Sequence, residues 1–182
     1  MNGAQEREST DRHIHTHFGP RQVSDLLQTI FSSEIIAPSR HLWIVSPWIS
    51  DIPVLDNRAN AFVSLVGDWA RTRVRLSVVL GYLLSRGTVI QVAARPLDHN
   101  RDFFAQLRQQ AGADGDRLRL TEADALHEKG ILGDGYYLSG SMNITRNGIS
   151  FNEEVLHFFT DPSVVAANRQ LFIKRWSIPA GT

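Results

Sequence analysis

The spacing of apolar positions changes several times along the chain, and each change marks an element. Val23, Leu26, Leu27 and Ile30 recur three and four residues apart within QVSDLLQTIFSSEII, which predicts a helix over residues 22–36. HLWIVSPWIS is a continuous apolar run rich in Trp, Ile and Val and interrupted by Pro47, the pattern of a buried strand that runs into a loop. Residues 60–86 read mostly as helix closed by Gly87, although RVRLSVVL within them also has strand character. TVIQVAARP then predicts a strand ended by Pro96, HNRDFFAQLRQQAG a short amphipathic helix, and DRLRLTEA a further strand by its alternation. SFNEEVLHFF supplies another strand before Pro162, and SVVAANRQLFIKRW a closing helix. Together they predict an α/β fold, a mixed β-sheet flanked by helices, in one domain over residues 21–182 behind a flexible N-terminal arm over residues 1–20.

Composition narrows what such a fold can do. At 182 residues, 42% hydrophobic and 21% charged, the chain has the make-up of a single soluble globular domain with its own core. Its 19 basic and 19 acidic side chains balance, so contact with phosphate groups has to come from a local cluster rather than a cationic coat. The absence of cysteine excludes disulfides and thiolate chemistry. The first twenty residues lack an apolar secretory segment and no apolar run reaches about 18 residues, so the expectation is a cytoplasmic protein without membrane contact.

One window concentrates polar chemistry where a plain hairpin would need none: LHEKGILGDGYYLSGSMN. In an extended strand His127, Lys129 and Ile131 share one face and Glu128 and Leu132 the other. Asp134-Gly135 is a two-residue hairpin signal, and reversal there returns Gly140, Ser141 and Asn143 beside the strand that carries His127. An imidazole can attack or protonate near neutral pH, while an ammonium, a hydroxyl and an amide can bind the non-bridging oxygens of a phosphodiester. A lone histidine on a strand is more often structural, and Asp-Gly alone says only turn; it is the conjunction that points to phosphoryl transfer.

These residues resemble the HKD signature of the phospholipase D superfamily: His127-x-Lys129, then Asp134, then Gly140-Ser141-x-Asn143. Five residues separate Asp134 from Gly140, one fewer than the family's usual six. Glu154 stands where the family places the acidic residue that holds the catalytic histidine, with Glu153 the neighbouring candidate, and FIKRW is similar to the closing helix of the small bacterial nucleases. The resemblance spans residues 22–176 and implies a phospholipase D/nuclease-like fold with one HKD motif per chain. It further implies a metal-independent, cofactor-free endonuclease that completes its site as a homodimer. One His127 would form a phosphohistidine and the other would act as acid and base; Lys129, Asn143 and Ser141 would bind the phosphate, and Glu154 would fix the imidazole. Asp134 is a candidate in the same set, although the turn alone accounts for it.

SPWISDIPVLDN looks like the phospholipase-D-like component of phage-defence or DNA-modification clusters, which would add DNA and other proteins of such a cluster as partners. A non-catalytic nucleic-acid-binding subunit is the alternative, and a phospholipid hydrolase ranks last because no amphipathic membrane helix is visible. His13, His15 and His17 alternate as metal ligands can, but within a polar arm a solvated reading prevails, so no metal site is expected. Arg71, Arg73 and Arg75 form either a stripe for a nucleic-acid backbone or an ordinary charged face.

Overall fold

The computed structural model describes residues 12–15, 20–66, 69–150 and 154–176. A short strand, β1 (Arg12–His15), precedes helix α1 (Pro20–Ile36) and strand β2 (His41–Val45). A small two-stranded sheet pairs β3 (Pro53–Asp56) with β4 (Arg73–Arg75) around the single turn α2 (Val63–Val66). Helix α3 (Leu76–Ser85), strand β5 (Val89–Ala94), helix α4 (Asp98–Ala111), a 3₁₀ segment (Gly112–Arg117) and strand β6 (Leu118–Glu122) follow. The chain then crosses back through the hairpin β7 (Gly130–Leu132) and β8 (Tyr137–Gly140), helix α5 (Arg146–Ser150), strand β9 (Val155–Phe159) and helix α6 (Pro162–Trp176).

The main sheet is mixed and seven-stranded, in the order β1-β9-β8-β7-β2-β5-β6. β2, β5 and β6 run parallel, and the pairs from β2 through β7, β8 and β9 to β1 are antiparallel. Both faces of β2 are apolar, as a central strand covered on two sides requires. Leu42 and Ile44 join Ile90, Val92, Ile131, Leu138 and Leu156 in the larger core, packed with side chains of α1, α3 and α4. Trp43 and Val45 face the other way, toward Leu132, Tyr137, Phe172 and Trp176, a smaller core closed by α6. Among the described residues no helix is long and apolar enough to cross a membrane.

Three local readings of the sequence are revised. Residues 60–86 do not form one helix: Arg73–Arg75 is a strand, and α3 starts only at Leu76. The cause is Asp51, whose carboxylate accepts the Ser77 amide at 2.8 Å and the Ser77 hydroxyl at 2.9 Å, pinning the first turn of α3. His127 and Lys129 do not lie on a strand either, because β7 begins at Gly130. Side chains take over the backbone partners there: Arg95 Nε donates to the Leu126 carbonyl at 2.8 Å and Lys129 Nζ to the His127 carbonyl at 2.7 Å. Finally, within the segment read as an arm, Arg12–His15 pairs with β9; residues 1–11 and 16–19, with His17, lie outside the described residues.

Candidate active site at one edge of the sheet

The topology gathers the polar residues at a single rim. The carboxyl ends of β2, β5 and β6, the start of β7, the end of β8 and the start of β9 all lie at the same edge, as the register Val45↔Gly130, Gly130↔Ser139, Gly140↔Leu156 and Ala94↔Glu122 shows. The strand order reverses between β2 and β7, and a crevice beyond strand carboxyl ends at such a switch point is where open α/β sheets bind ligands.

His127 is exposed at this rim and Lys129 is half-buried. Their segment is clamped from two sides. Leu126 is buried in the smaller core while Arg95 holds its carbonyl, and the Glu128 carboxylate accepts the Trp176 indole N–H at 2.9 Å and Arg175 Nη1 at 3.2 Å. Glu128, between the histidine and the lysine, thus ties the rim to the end of α6. Burial lowers the Lys129 pKa from the usual lysine value, the Glu154 carboxylate raises it, and the Arg95 guanidinium lowers it again.

Ser141 and Glu154 form a second unit. Ser141 Oγ donates to Glu154 Oε2 in a short hydrogen bond, accepts the Val155 amide at 3.1 Å, and the Ser141 amide donates to the Val155 carbonyl at 3.1 Å. Glu154 is only 8% exposed. The chain reaches this arrangement through Gly140, whose φ of +154° and contact with β9 admit no side chain: a Cβ would sit 2.0 Å from the Val155 carbonyl oxygen. Asn143 is half-buried, and its Oδ1 is buried with no hydrogen-bond partner among the described residues. It lines a cleft of about 400 Å³ together with Trp48, Ser50, His99 and Arg146. Rotation of the amide about its last bond presents N–H groups in the same place, suited to an anionic oxygen.

Asp134 does not join this group. It lies in the turn between β7 and β8, at the opposite rim, where the Gly133 amide donates to the Tyr136 carbonyl at 3.1 Å and closes the turn around Asp134-Gly135. Its carboxylate accepts the Arg40 amide at 2.9 Å and pairs with Arg169 at 3.4 Å; its own amide donates to Ser39 Oγ at 2.9 Å, whose hydroxyl donates to buried Glu34 at 2.7 Å. Glu153 lies outside the described residues.

The local reading of the hairpin missed Arg95, Glu128 and Trp48. Arg95 carried a faint signal, a basic residue just past the strand it ends and just before Pro96. A consequence of the Lys129 surroundings can be measured. In Glu154→Gln the serine keeps an acceptor but the ammonium loses the carboxylate that raises its pKa, so Lys129 deprotonates at lower pH and the alkaline limb of the pH–rate profile moves down. An unchanged limb would remove Lys129 from the titrating groups.

A seven-stranded mixed sheet with His-x-Lys and Gly-Ser-x-Asn segments at one rim defines a phospholipase D-like phosphodiesterase. The family model described as "Cardiolipin synthase, PLD-like domain" matches residues 34–176, and the chain belongs to this phospholipase D-like family. No curated protein matches the sequence significantly. Among solved structures, Nuc from Salmonella typhimurium, a phospholipase D family member, is similar over 93% of this chain and 95% of its own, with 13% identity and a TM-score of 0.61. NucT from Helicobacter pylori is similar over 92% and 95%, with 17% identity and a TM-score of 0.56. TrmBL2, an archaeal chromatin protein with a novel mode of DNA binding, is similar over 94% of this chain and 54% of its own, with 13% identity and a TM-score of 0.52.

Proposed function

We propose that the protein is a metal-independent endonuclease that cleaves the phosphodiester bonds of nucleic acid, DNA first, in a site completed by two copies of the chain. One observation supports the reading: His127, Lys129, Asn143 and the Ser141–Glu154 pair come from separate elements yet lie at the same rim, one set per chain, with His127 exposed. In the first step a His127 ring nitrogen attacks phosphorus, a P–N bond forms, the P–O bond to the leaving group breaks, and His127 of the partner subunit gives that oxygen its proton. In the second step the same partner histidine takes a proton from water, whose oxygen displaces the phosphohistidine nitrogen and restores both rings. Lys129 and Asn143 stabilise the charge that builds on the non-bridging oxygens. Glu154 accepts the Ser141 hydroxyl and opposes the lowering of the Lys129 pKa by burial, which favours the ammonium form.

The test is hydrolysis of bis(p-nitrophenyl) phosphate and of circular single- and double-stranded DNA in the presence of EDTA. Turnover that persists under chelation, by a protein that sediments as a dimer, is the expected outcome. Activity lost with EDTA and restored by a divalent cation would overturn the metal-independent step. Tight DNA binding without cleavage of any substrate would favour the alternative, a non-catalytic nucleic-acid-binding subunit.

A further inference from the structure

Trp48 is held in a way that closing the sheet does not require. It follows β2 between buried Pro47 and buried Ile49, yet its own ring is only half-buried and lines the cleft beside Asn143. Its backbone is fixed from three directions. Asn100, fully buried, donates to the carbonyls of Pro47 and Arg95 at 2.8 Å each and accepts the Ile49 amide at 2.8 Å. Ser46, also fully buried, donates to the Trp48 carbonyl at 2.7 Å and accepts the Ile144 amide at 3.1 Å, while the Ser50 amide donates to the Ile144 carbonyl at 2.9 Å. The Arg95 guanidinium lies over the ring, 5.1 Å from its centroid. With the backbone on both sides of it fixed and Arg95 against its ring, Trp48 needs little further backbone ordering when a flat ligand arrives.

The cleft does not end at the tryptophan. Ser50 and His99 also line a second concavity of about 530 Å³ that follows α4 past Gln106 to Gln110, with Arg75 on its other wall. From position 99 to 110 the helix rises about 16 Å, enough for roughly four or five stacked nucleotides of one strand. Charge decides what kind of strand. The lining of the two concavities carries Arg75 and Arg146 but also Asp51 and Asp102, so it is no cationic rail for a duplex backbone. What it offers is an aromatic face and side-chain amides, and only an unpaired base can use the aromatic face.

Resting on the reading of this rim as a phosphodiesterase site, we infer that Trp48 is the stacking platform of a subsite for an unpaired nucleobase beside the scissile phosphate, and that the groove along α4 takes the adjoining nucleotides of a single strand. The experiment uses the full chain carrying His127→Ala, so that binding is read without turnover. Fluorescence anisotropy is followed with dye-labelled single-stranded DNA and RNA oligonucleotides, intact or made of abasic residues, and with a blunt duplex as competitor. Intact single strands should bind about 5- to 100-fold more tightly than their abasic counterparts. Adding Trp48→Leu should erase most of that difference and Trp48→Phe should keep part of it, while the duplex competes at least about 10-fold less well.

Equal affinity for intact and abasic strands, no detectable binding of either, discrimination that survives Trp48→Leu, or a duplex that competes as well as the single strand would each overturn the inference. If Trp48→Leu does not fold, the abasic comparison in the His127→Ala protein decides by itself. Hydrolysis of bis(p-nitrophenyl) phosphate by the wild-type protein tests the underlying reading separately. Turnover without base discrimination sinks the subsite alone; discrimination without turnover sinks the nuclease alone.

Discussion

His127→Ala is expected to reduce phosphodiester hydrolysis by at least about 10⁴-fold, to the background of the assay. The size follows from the double duty assigned to this position: in a shared site the substitution removes both the nucleophile and the general acid. Neither neighbouring cation can substitute, since the protonated Lys129 ammonium and Arg95 guanidinium offer no nitrogen lone pair for attack on phosphorus. The same logic makes a mixing experiment decisive. If wild-type and His127→Ala chains exchange partners at equal amounts, only dimers with two wild-type chains are active, about one quarter of all dimers, against about one half of the activity if each chain works alone. Lys129→Ala should be milder, about 10²- to 10³-fold, because it removes charge stabilisation while leaving both histidines. Residual activity in His127→Ala within about ten-fold of wild type would end the phosphohistidine reading.

Gly140→Ala is expected to destabilise the fold by about 3 kcal/mol or more, through two costs at one residue. The backbone at φ +154° is a conformation that L side chains rarely adopt, and the added methyl would lie 2.0 Å from the Val155 carbonyl oxygen, well inside van der Waals contact. Relief requires β8 and β9 to part, which breaks the Ser141–Val155 hydrogen bonds and releases Glu154. By urea unfolding the midpoint should fall well below wild type, and by calorimetry Tm should drop by about 6 °C or more. A variant that melts with wild type would mean that β9 does not run where it is placed.

How much of this was legible in the sequence depended on how far apart the partners lie. His127, Lys129, Ser141 and Asn143 stood out because 17 residues around one turn hold them all, and a hairpin is a short-range object. The helices α1, α4 and α6 were legible for the same reason, since a period is a local property. The segment at 60–86 was not: RTRVRLSVVL fits two periods, and the choice was made by Asp51, 26 residues before the Ser77 it holds. Glu128 was visible only as a spacer between two motif residues, because its partner Trp176 is 48 positions away. The anchoring of Trp48 depends on Asn100, more than 50 residues on, in a helix whose sequence suggested only amphipathicity.

The segregation of the two rims has a practical side. While His127, Lys129, Ser141 and Asn143 gather at one end of the strands, the chain enters β5 and β6 at the far end through Gly87 and the 3₁₀ segment Gly112–Arg117. A Cβ at Gly87 or Gly115 would meet no atom within 4 Å, whereas the Asp134 turn on that side is tied to Arg40 and Arg169. Gly115 is therefore the place to splice in a reporter domain or to open new chain ends, whereas Gly87, at a φ of +95°, has to stay glycine; the whole height of the sheet separates the graft from the chemistry.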